Sequence, residues 1–554
     1  MSGRLGPALA ALRLHSSRCW QWRPQVSVES LLLATCLFFA LACNASFWRS
    51  ALSWSGGGIG FAASLLVLQV AIHAFVLGLL VWRWNAKLLL GALILCAALA
   101  AHYMGRYQVY INAEMLRNVL QTDPRESREL VTPALALALL LFVVPPTLAL
   151  CRIRLRKRSI GRALLIRLGF LCAASVSGLG AALLCFQDLS ALIRNHHEIR
   201  YLATPINVLA AARSIMKSAT SAPRGPKRPL EHDAVATLRT AGTRPRLLVI
   251  VLGEAARAQN WGLNGYARQT TPELAKLADL VNFRDVRSCG TSTEVSVPCM
   301  FSPLGRHDYD QKTIRSQQSL LHVLEHAGIG TLWRDNQSGC KGVCEQLPTQ
   351  SLQDAEVPAL CRDGRCLDEV LLEDLPAQVR GRAGDRVVVL HQLGNHGPSY
   401  FQRYPSTFKR FVPACEDPDL GRCSRQQIVN AYDNALLYTD HFLNRTVSVL
   451  QAMDDYDSAM LYVSDHGESL GEKGLYLHGV PYAIAPREQT RVPMVMWFSS
   501  AFSVARGLNL TCLQQRAQQP ADHDNLFASI LGLMQVRTRI YDASRDLFAG
   551  CVRR

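Results

Sequence analysis

No GxxxxGK(S/T) loop occurs anywhere in this chain, which excludes the phosphate cradle of P-loop nucleotide enzymes. Internal repeats and low-complexity tracts are missing too, so neither a solenoid nor a compositionally disordered array is expected. Cysteines at CxxC spacing are absent, which argues against a zinc ribbon. Residues 1–27 lack any acidic side chain, leaving Arg4, Arg13, Arg18 and Arg23 without local counter-charge. No small-residue cleavage site follows the first apolar stretch, which is also too long for a simple signal peptide.

What the chain does have is apolar length. Five stretches, at about 28–48, 59–82, 87–104, 131–150 and 168–187, each approach the length that crosses a bilayer. The formal net charge of +16 resembles a nucleic-acid signature, but its distribution argues otherwise. Thirteen basic residues sit at the N-terminus, at Arg83 and Lys87, and from Arg152 to Arg167. With a cytoplasmic N-terminus, all three clusters fall on one side, as the positive-inside rule requires. Residues 49–58, 105–130 and everything after 188 then lie on the other side. The expected domains are a five-span membrane unit over 1–190, a bridging helix and linker over 191–243, and a catalytic domain over 244–554.

Of the 17 cysteines, seven lie in the membrane third and ten lie after residue 288. Eight of those ten form close pairs: Cys289/Cys299, Cys340/Cys344, Cys361/Cys366 and Cys415/Cys423. Such pairing suits disulfides in an oxidising compartment such as the bacterial periplasm. Cys512 and Cys551 are left over.

Residues 188–217 read as a helix leaving the bilayer, and 218–243, rich in proline, glycine and charge, as a linker. Beyond it, Leu247–Leu252, Arg386–Leu390, Ala459–Val463 and Val492–Trp497 are short runs apolar on both faces. They read as buried parallel strands covered by helices. Polar residues follow them, at the edge where open α/β sheets bind ligands.

Glu254, Asp465 and His466 each follow such a run. Two carboxylates and an imidazole offer three ligands for Zn²⁺ or Mn²⁺, with a fourth position open. Thr293, between Cys289 and Cys299, is the candidate nucleophile. A metal's Lewis acidity can activate its weakly acidic hydroxyl. The plainer alternative is that Thr291, Ser292, Thr293 and Ser296 cap a helix. Lys341, His391, His396 and His478 are further candidates for holding a phosphate, holding a second metal or protonating a leaving alkoxide. The 105–130 segment can form an amphipathic helix at the membrane interface.

Five segments carry a resemblance to a known family: Glu254 to Tyr266, Ser288 to Ser302, Asp335 to Cys344, Asn395 to Pro398, and Ser464 to Glu472. They resemble the lipid A phosphoethanolamine transferases, which include the plasmid-borne colistin-resistance enzymes. The resemblance spans nearly the whole chain. It implies an α-helical five-span transmembrane domain plus a periplasmic α/β/α sandwich of alkaline phosphatase/sulfatase type. It implies zinc at Glu254, Thr293, Asp465 and His466, with Thr293 as nucleophile and a second zinc during turnover. It places Lys341, His396 and His478 on the transferred group or the additional zinc, and Asn336 and Gln337 beside the substrate. Gln337 stands where the family often has a second asparagine. Tyr107, Asn118, Thr122 and Glu126 match positions that hold the donor lipid. The implied reaction moves phosphoethanolamine from phosphatidylethanolamine to lipid A in the inner membrane, by a monomer, and confers polymyxin resistance. Three alternatives stay open: a related transferase with another donor or glycan acceptor, such as a phosphoglycerol transferase; a hydrolase; and an inactive membrane sensor.

Overall fold

The computed structural model describes residues 23–55, 58–122, 124–221, 226–237, 242–362 and 364–552. The N-terminal basic residues Arg4, Arg13 and Arg18 lie outside them. The chain divides into two compact units. One comprises Met1–Asn112 and Val131–Ala212, the other Ala113–Leu130 and Arg213–Arg554.

In the first unit, Ile59–Leu80, Ala86–Tyr107, Pro133–Arg152 and Ile160–Leu184 are helices long and apolar enough to cross a membrane. Val28–Ala42 and Ala45–Trp54 form a fifth span only as a pair, bent by 61°. The sequence predicts one continuous span here. Asn44 explains the bend, because its amide donates to Phe39 O (2.8 Å) and to Thr204 O (2.7 Å), drawing the chain out of the helical ladder. Leu32, Phe39, Leu77 and Leu90 fill the interior, while Leu88, Ile160 and Leu184 point outward. Apolar side chains on the outside suit lipid as the surrounding solvent. At Gly178 an added Cβ would stand 3.1 Å from the Ala71 Cβ, so glycine lets the Ile59–Leu80 and Ile160–Leu184 helices approach closely. The single helix expected over 188–217 is divided into Phe186–Asn195, the 3₁₀ turn His197–Tyr201 and Ile206–Ser221. Pro205 cannot donate a backbone hydrogen bond and stands in the break.

The second unit is built on an eight-stranded sheet. Its strands are β1 (Arg246–Gly253), β2 (Val281–Arg287), β3 (Gly330–Asp335), β4 (Thr349–Ser351), β5 (Arg386–His391), β6 (Asp457–Ser464), β7 (Arg491–Phe498) and β8 (Ala521–Asp522). Their spatial order is β8-β2-β7-β6-β1-β5-β3-β4. Strands β6, β1, β5 and β3 run parallel and are buried along their whole length. Strand β7, also read from the sequence as parallel, is antiparallel to both β6 and β2. A parallel return needs a crossover, usually through a long helix. Between β6 and β7 lie only short turns, two-residue strands and the four-residue helix Arg487–Thr490, so the chain re-enters the sheet from the edge it left. The linker also contributes to the fold, since Val235–Ala236 pairs with Val536–Arg537.

Candidate active site

The carboxyl ends of β1 and β6 are adjacent, in register from Arg246 with Asp457 to Gly253 with Ser464. This pairing brings Glu254 beside Asp465 and His466, the residues that follow the two strands. Ala255 takes a left-handed backbone (φ 55°), rare outside glycine, and its N–H donates to Asp465 Oδ1 at 3.2 Å. After His466 the chain needs glycine, because a Cβ on Gly467 would lie 2.1 Å from Glu488 O.

Thr293 opens the helix Thr293–Met300 and is 5 % exposed. The helix-capping reading of the hydroxyl run fails: Ser292 is the N-cap residue and its side chain makes no capping bond. The Thr291 hydroxyl donates to Val480 O and the Ser296 hydroxyl to Asp465 O. Thr293 Oγ1 instead donates to Glu254 Oε2 at 2.9 Å and lies 3.4 Å from His466 Nε2. His466 Nε2 is 3.2 Å from Glu254 Oε1 and 3.3 Å from Asp465 Oδ2. On its other side, His466 Nδ1 is 2.9 Å from Gly467 O. A carbonyl only accepts, so Nδ1 carries a proton and Nε2 faces the two acids, the tautomer that a metal-binding imidazole requires.

The donor set fits a cation. Glu254, Asp465 and His466 are all buried, and their ligand atoms lie within 4.8 Å of one another. Glu254 Oε1 and Asp465 Oδ2 are buried without a hydrogen-bond partner, a costly state for two carboxylates unless a positive charge joins them. Protonation equilibria show the same demand. Burial, then the Glu254 charge, pushes Asp465 above its usual range. Burial would depress His466, but the Asp465 and Glu254 charges outweigh it and raise the imidazole. Cys289, Cys299 and Asp524 also cluster, but these cysteines are joined as a disulfide and hold no metal.

The histidine predictions divide. The His478 ring lies 4.3 Å from His466 and 5.4 Å from His396, centroid to centroid. His478 Nδ1 is 3.3 Å from Glu468 Oε2. Burial and the nearby His466 charge hold His478 below its usual range. His391, by contrast, is 2.7 Å from Asp335 Oδ1 through its Nδ1, in the last pair of the β5–β3 ladder. Gln337 Nε2 donates to Glu254 Oε2 at 3.2 Å, so this residue reaches a candidate ligand itself. The Asn336 amide is occupied with Cys366 O and Asp368 Oδ1. Lys341 Nζ donates to Ser338 O at 3.1 Å. Asn118 O accepts from the Thr122 hydroxyl at 2.7 Å, and Tyr107 stacks on Tyr103 in the other unit. The side chain of Glu126 lies outside the described residues.

Two residues that support the site have no role in the sequence reading. Glu468, two residues past His466, faces His478, a contact that local spacing does not announce. His523 accepts from Cys289 N–H at 3.0 Å through Nδ1, and its Nε2 lies 3.1 Å from Ser464 O. It joins the nucleophile loop to the end of β6, and burial pushes its pKa down to about 3, which keeps it neutral. The disulfides are Cys289–Cys299, Cys340–Cys344, Cys361–Cys366, Cys415–Cys423 and Cys512–Cys551.

A buried threonine hydroxyl among two acids and an imidazole, at the carboxyl ends of the parallel strands, defines a group-transfer enzyme of alkaline phosphatase/sulfatase type. The Sulfatase family model matches residues 246–536, and the model described as Phosphoethanolamine transferase EptA/EptB matches 69–220. Phosphoethanolamine transferase EptA of Escherichia coli K12 is 36% identical over 538 residues, covering 96% of this chain and 98% of the relative. Phosphatidylethanolamine transferase Mcr-1 of Escherichia coli is 36% identical over 489 residues, covering 86% of this chain and 90% of the relative. The integral membrane lipooligosaccharide phosphoethanolamine transferase A of Neisseria meningitidis superposes with a TM-score of 0.93 at 37% identity, covering 96% of this chain and 100% of that structure. The chain belongs to the phosphoethanolamine transferases.

Proposed function

We propose that this enzyme transfers phosphoethanolamine from phosphatidylethanolamine to a phosphate of lipid A, through a phosphothreonine at Thr293. The observation that carries the reading is the Thr293 hydroxyl on Glu254, 3.4 Å from His466 Nε2, beside two buried carboxylate oxygens that accept no hydrogen bond. The relatives' names support the substrates: Mcr-1 is named for phosphatidylethanolamine, and the Neisseria meningitidis relative for lipooligosaccharide.

Glu254, Thr293, Asp465 and His466 would hold a Zn²⁺. The ion would supply the Lewis acidity that makes a threonine hydroxyl reactive near neutral pH. Glu254 Oε2 accepts the hydroxyl proton's hydrogen bond and so directs the Thr293 oxygen. In the first half-reaction, Thr293 Oγ1 bonds to the donor's phosphorus. The bond from phosphorus to the diacylglycerol oxygen breaks, and the proton released by the Thr293 hydroxyl passes by way of His478 or His396 to this alkoxide. In the second, an oxygen of the lipid A phosphate attacks the same phosphorus and Thr293 Oγ1 departs, taking up the proton that the attacking phosphate gives up. The helix N-terminus beneath Thr293 favours the anionic intermediate. Tyr107, Asn118, Thr122 and Glu126 hold the donor lipid, and Asn336, Gln337 and Lys341 assist at the transferred group.

The expected setting is the bacterial inner membrane, with a cytoplasmic N-terminus and the catalytic unit in the periplasm. Five disulfides in that unit support an oxidising compartment. The added ammonium lowers the negative charge that cationic peptides meet at the cell surface, so polymyxin and colistin resistance follows electrostatically. Mass spectrometry of lipid A from cells expressing the chain tests the reading. Addition of phosphoethanolamine supports it; unmodified lipid A alongside well-expressed protein, or addition of phosphoglycerol, refutes it.

A further inference from the structure

A cleft of about 360 Å³ opens beside the nucleophile helix, lined by Glu294, the residue after Thr293, and by Lys227, Arg315, Ser338 and Lys341. It adjoins a larger cleft of about 570 Å³ that carries Thr122 and Gln337, and the two share Gln121 and Ser338. Gln337, in the larger cleft, donates to Glu254, while the smaller cleft borders the reaction centre through Glu294.

The charges in the smaller cleft do not cancel. Glu294 is buried and already engaged: Arg315 pairs with its carboxylate and donates to its backbone O at 2.9 Å, and the Gln121 amide reaches both carboxylate oxygens. The hydrogen bonds of the Lys341 ammonium go to Ser338 O and Oγ, both neutral. Lys227 donates to Gly342 O and lies 3.8 Å from Glu345, a carboxylate that is 55% exposed and therefore screened. Burial, with a smaller part from the Arg315 charge, holds Lys227 below its usual range against the pull of Glu345, so Lys227 and Arg315 repel one another. An anion entering the cleft would relieve that repulsion.

We propose that the Lys227–Arg315–Lys341 cleft is the subsite for the phosphate of the acceptor, placing a phosphosugar beside the modified Thr293. The proposal rests on the transferase reading above. With a phosphate as acceptor, the enzyme must present a second phosphate to the one on Thr293, and two phosphates repel. Fixed cations in the cleft offset that repulsion: Lys341 is bonded to Ser338 in the wall the two clefts share, and Lys227 to Gly342. A phosphate in this cleft could also belong to the donor lipid, so the test separates the two half-reactions.

The full-length enzyme, reconstituted in phosphatidylethanolamine vesicles, is assayed twice. The burst of diacylglycerol without acceptor reads the donor step, and phosphoethanolamine transfer over a series of lipid A concentrations reads the acceptor step. Lys227→Gln removes the charge and keeps a donor for Gly342 O. It should raise the apparent KM for lipid A about tenfold, while the burst changes by no more than about twofold. Lys227→Glu should raise that KM further, and Lys227→Arg should stay near wild type, which separates charge from folding. An unchanged KM in Lys227→Gln, with wild type transferring normally, overturns the subsite alone. An equal loss in the burst assigns the cleft to the donor and overturns it too. A wild type that moves nothing to lipid A overturns both the subsite and the transferase reading.

Discussion

Two buried aspartates in the catalytic unit, Asp433 and Asp465, differ in their hydrogen bonding. Asp433 is fully buried, and both its oxygens are satisfied: Oδ1 accepts from Asn260 (2.6 Å), and Oδ2 from Tyr266 (2.9 Å) and Arg268 (2.9 Å). Asp465 is just as buried, yet Oδ2 has no hydrogen-bond partner, and neither has Oε1 of neighbouring Glu254. A buried carboxylate with every oxygen paired is architecture: it ties the segment after β1 to the long helix Arg425–Gln451. A pair with oxygens left over, facing an imidazole and a hydroxyl, is a site prepared for something that arrives from outside. Removing the first kind should cost stability, and removing the second should cost chemistry.

The largest effect expected is from Thr293→Ala. Losing the nucleophile should reduce transfer by at least about 10³-fold while membrane insertion and folding persist. Near-normal lipid A modification by the variant would mean that the hydroxyl only packs against Glu254. Next comes metal retention. Asp465→Ala and Glu254→Ala should each release zinc, read by elemental analysis of purified protein, and lose activity with it. Full zinc in either variant would dissolve the contrast with Asp433. His396→Ala and His478→Ala should keep the zinc and slow turnover by about 10²–10⁴-fold, the usual worth of a proton donor or acceptor. The smallest effect on rate belongs to Asp433→Asn. It should lower stability by about 1–3 kcal/mol, seen as a reduced thermal midpoint, with turnover per folded molecule unchanged. A large loss of turnover there would show that hydrogen-bond completeness does not separate scaffold from site.

The same contrast explains what the sequence makes legible. Leu247–Leu252, Arg386–Leu390 and Ala459–Val463 announce buried parallel strands because strands covered on both faces need no polar alternation. Their ends then point to Glu254, Asp465 and His466. The direction of β7 was not legible, because an apolar run carries no arrow. Short-range cysteine pairs were readable from spacing. Cys512 and Cys551 are 39 residues apart, so only the fold joins them. The bend at Asn44 depends on Thr204, 160 residues away. Likewise, the Glu294–Arg315 pair and His523 acquire meaning only when segments distant in the chain meet. Local hydroxyl chemistry left two readings open, a nucleophile or a helix cap, and only the fold shows the hydroxyls of Thr293, Thr291 and Ser296 reaching Glu254, Val480 and Asp465.

The central claim is that Thr293 carries the transferred group. The direct measurement is peptide mass spectrometry of full-length protein quenched after exposure to phosphatidylethanolamine without acceptor. The account predicts phosphoethanolamine on the peptide containing Thr293, disappearing when lipid A is added. Active enzyme that turns over donor and acceptor while no modified Thr293 peptide forms at any time would contradict it.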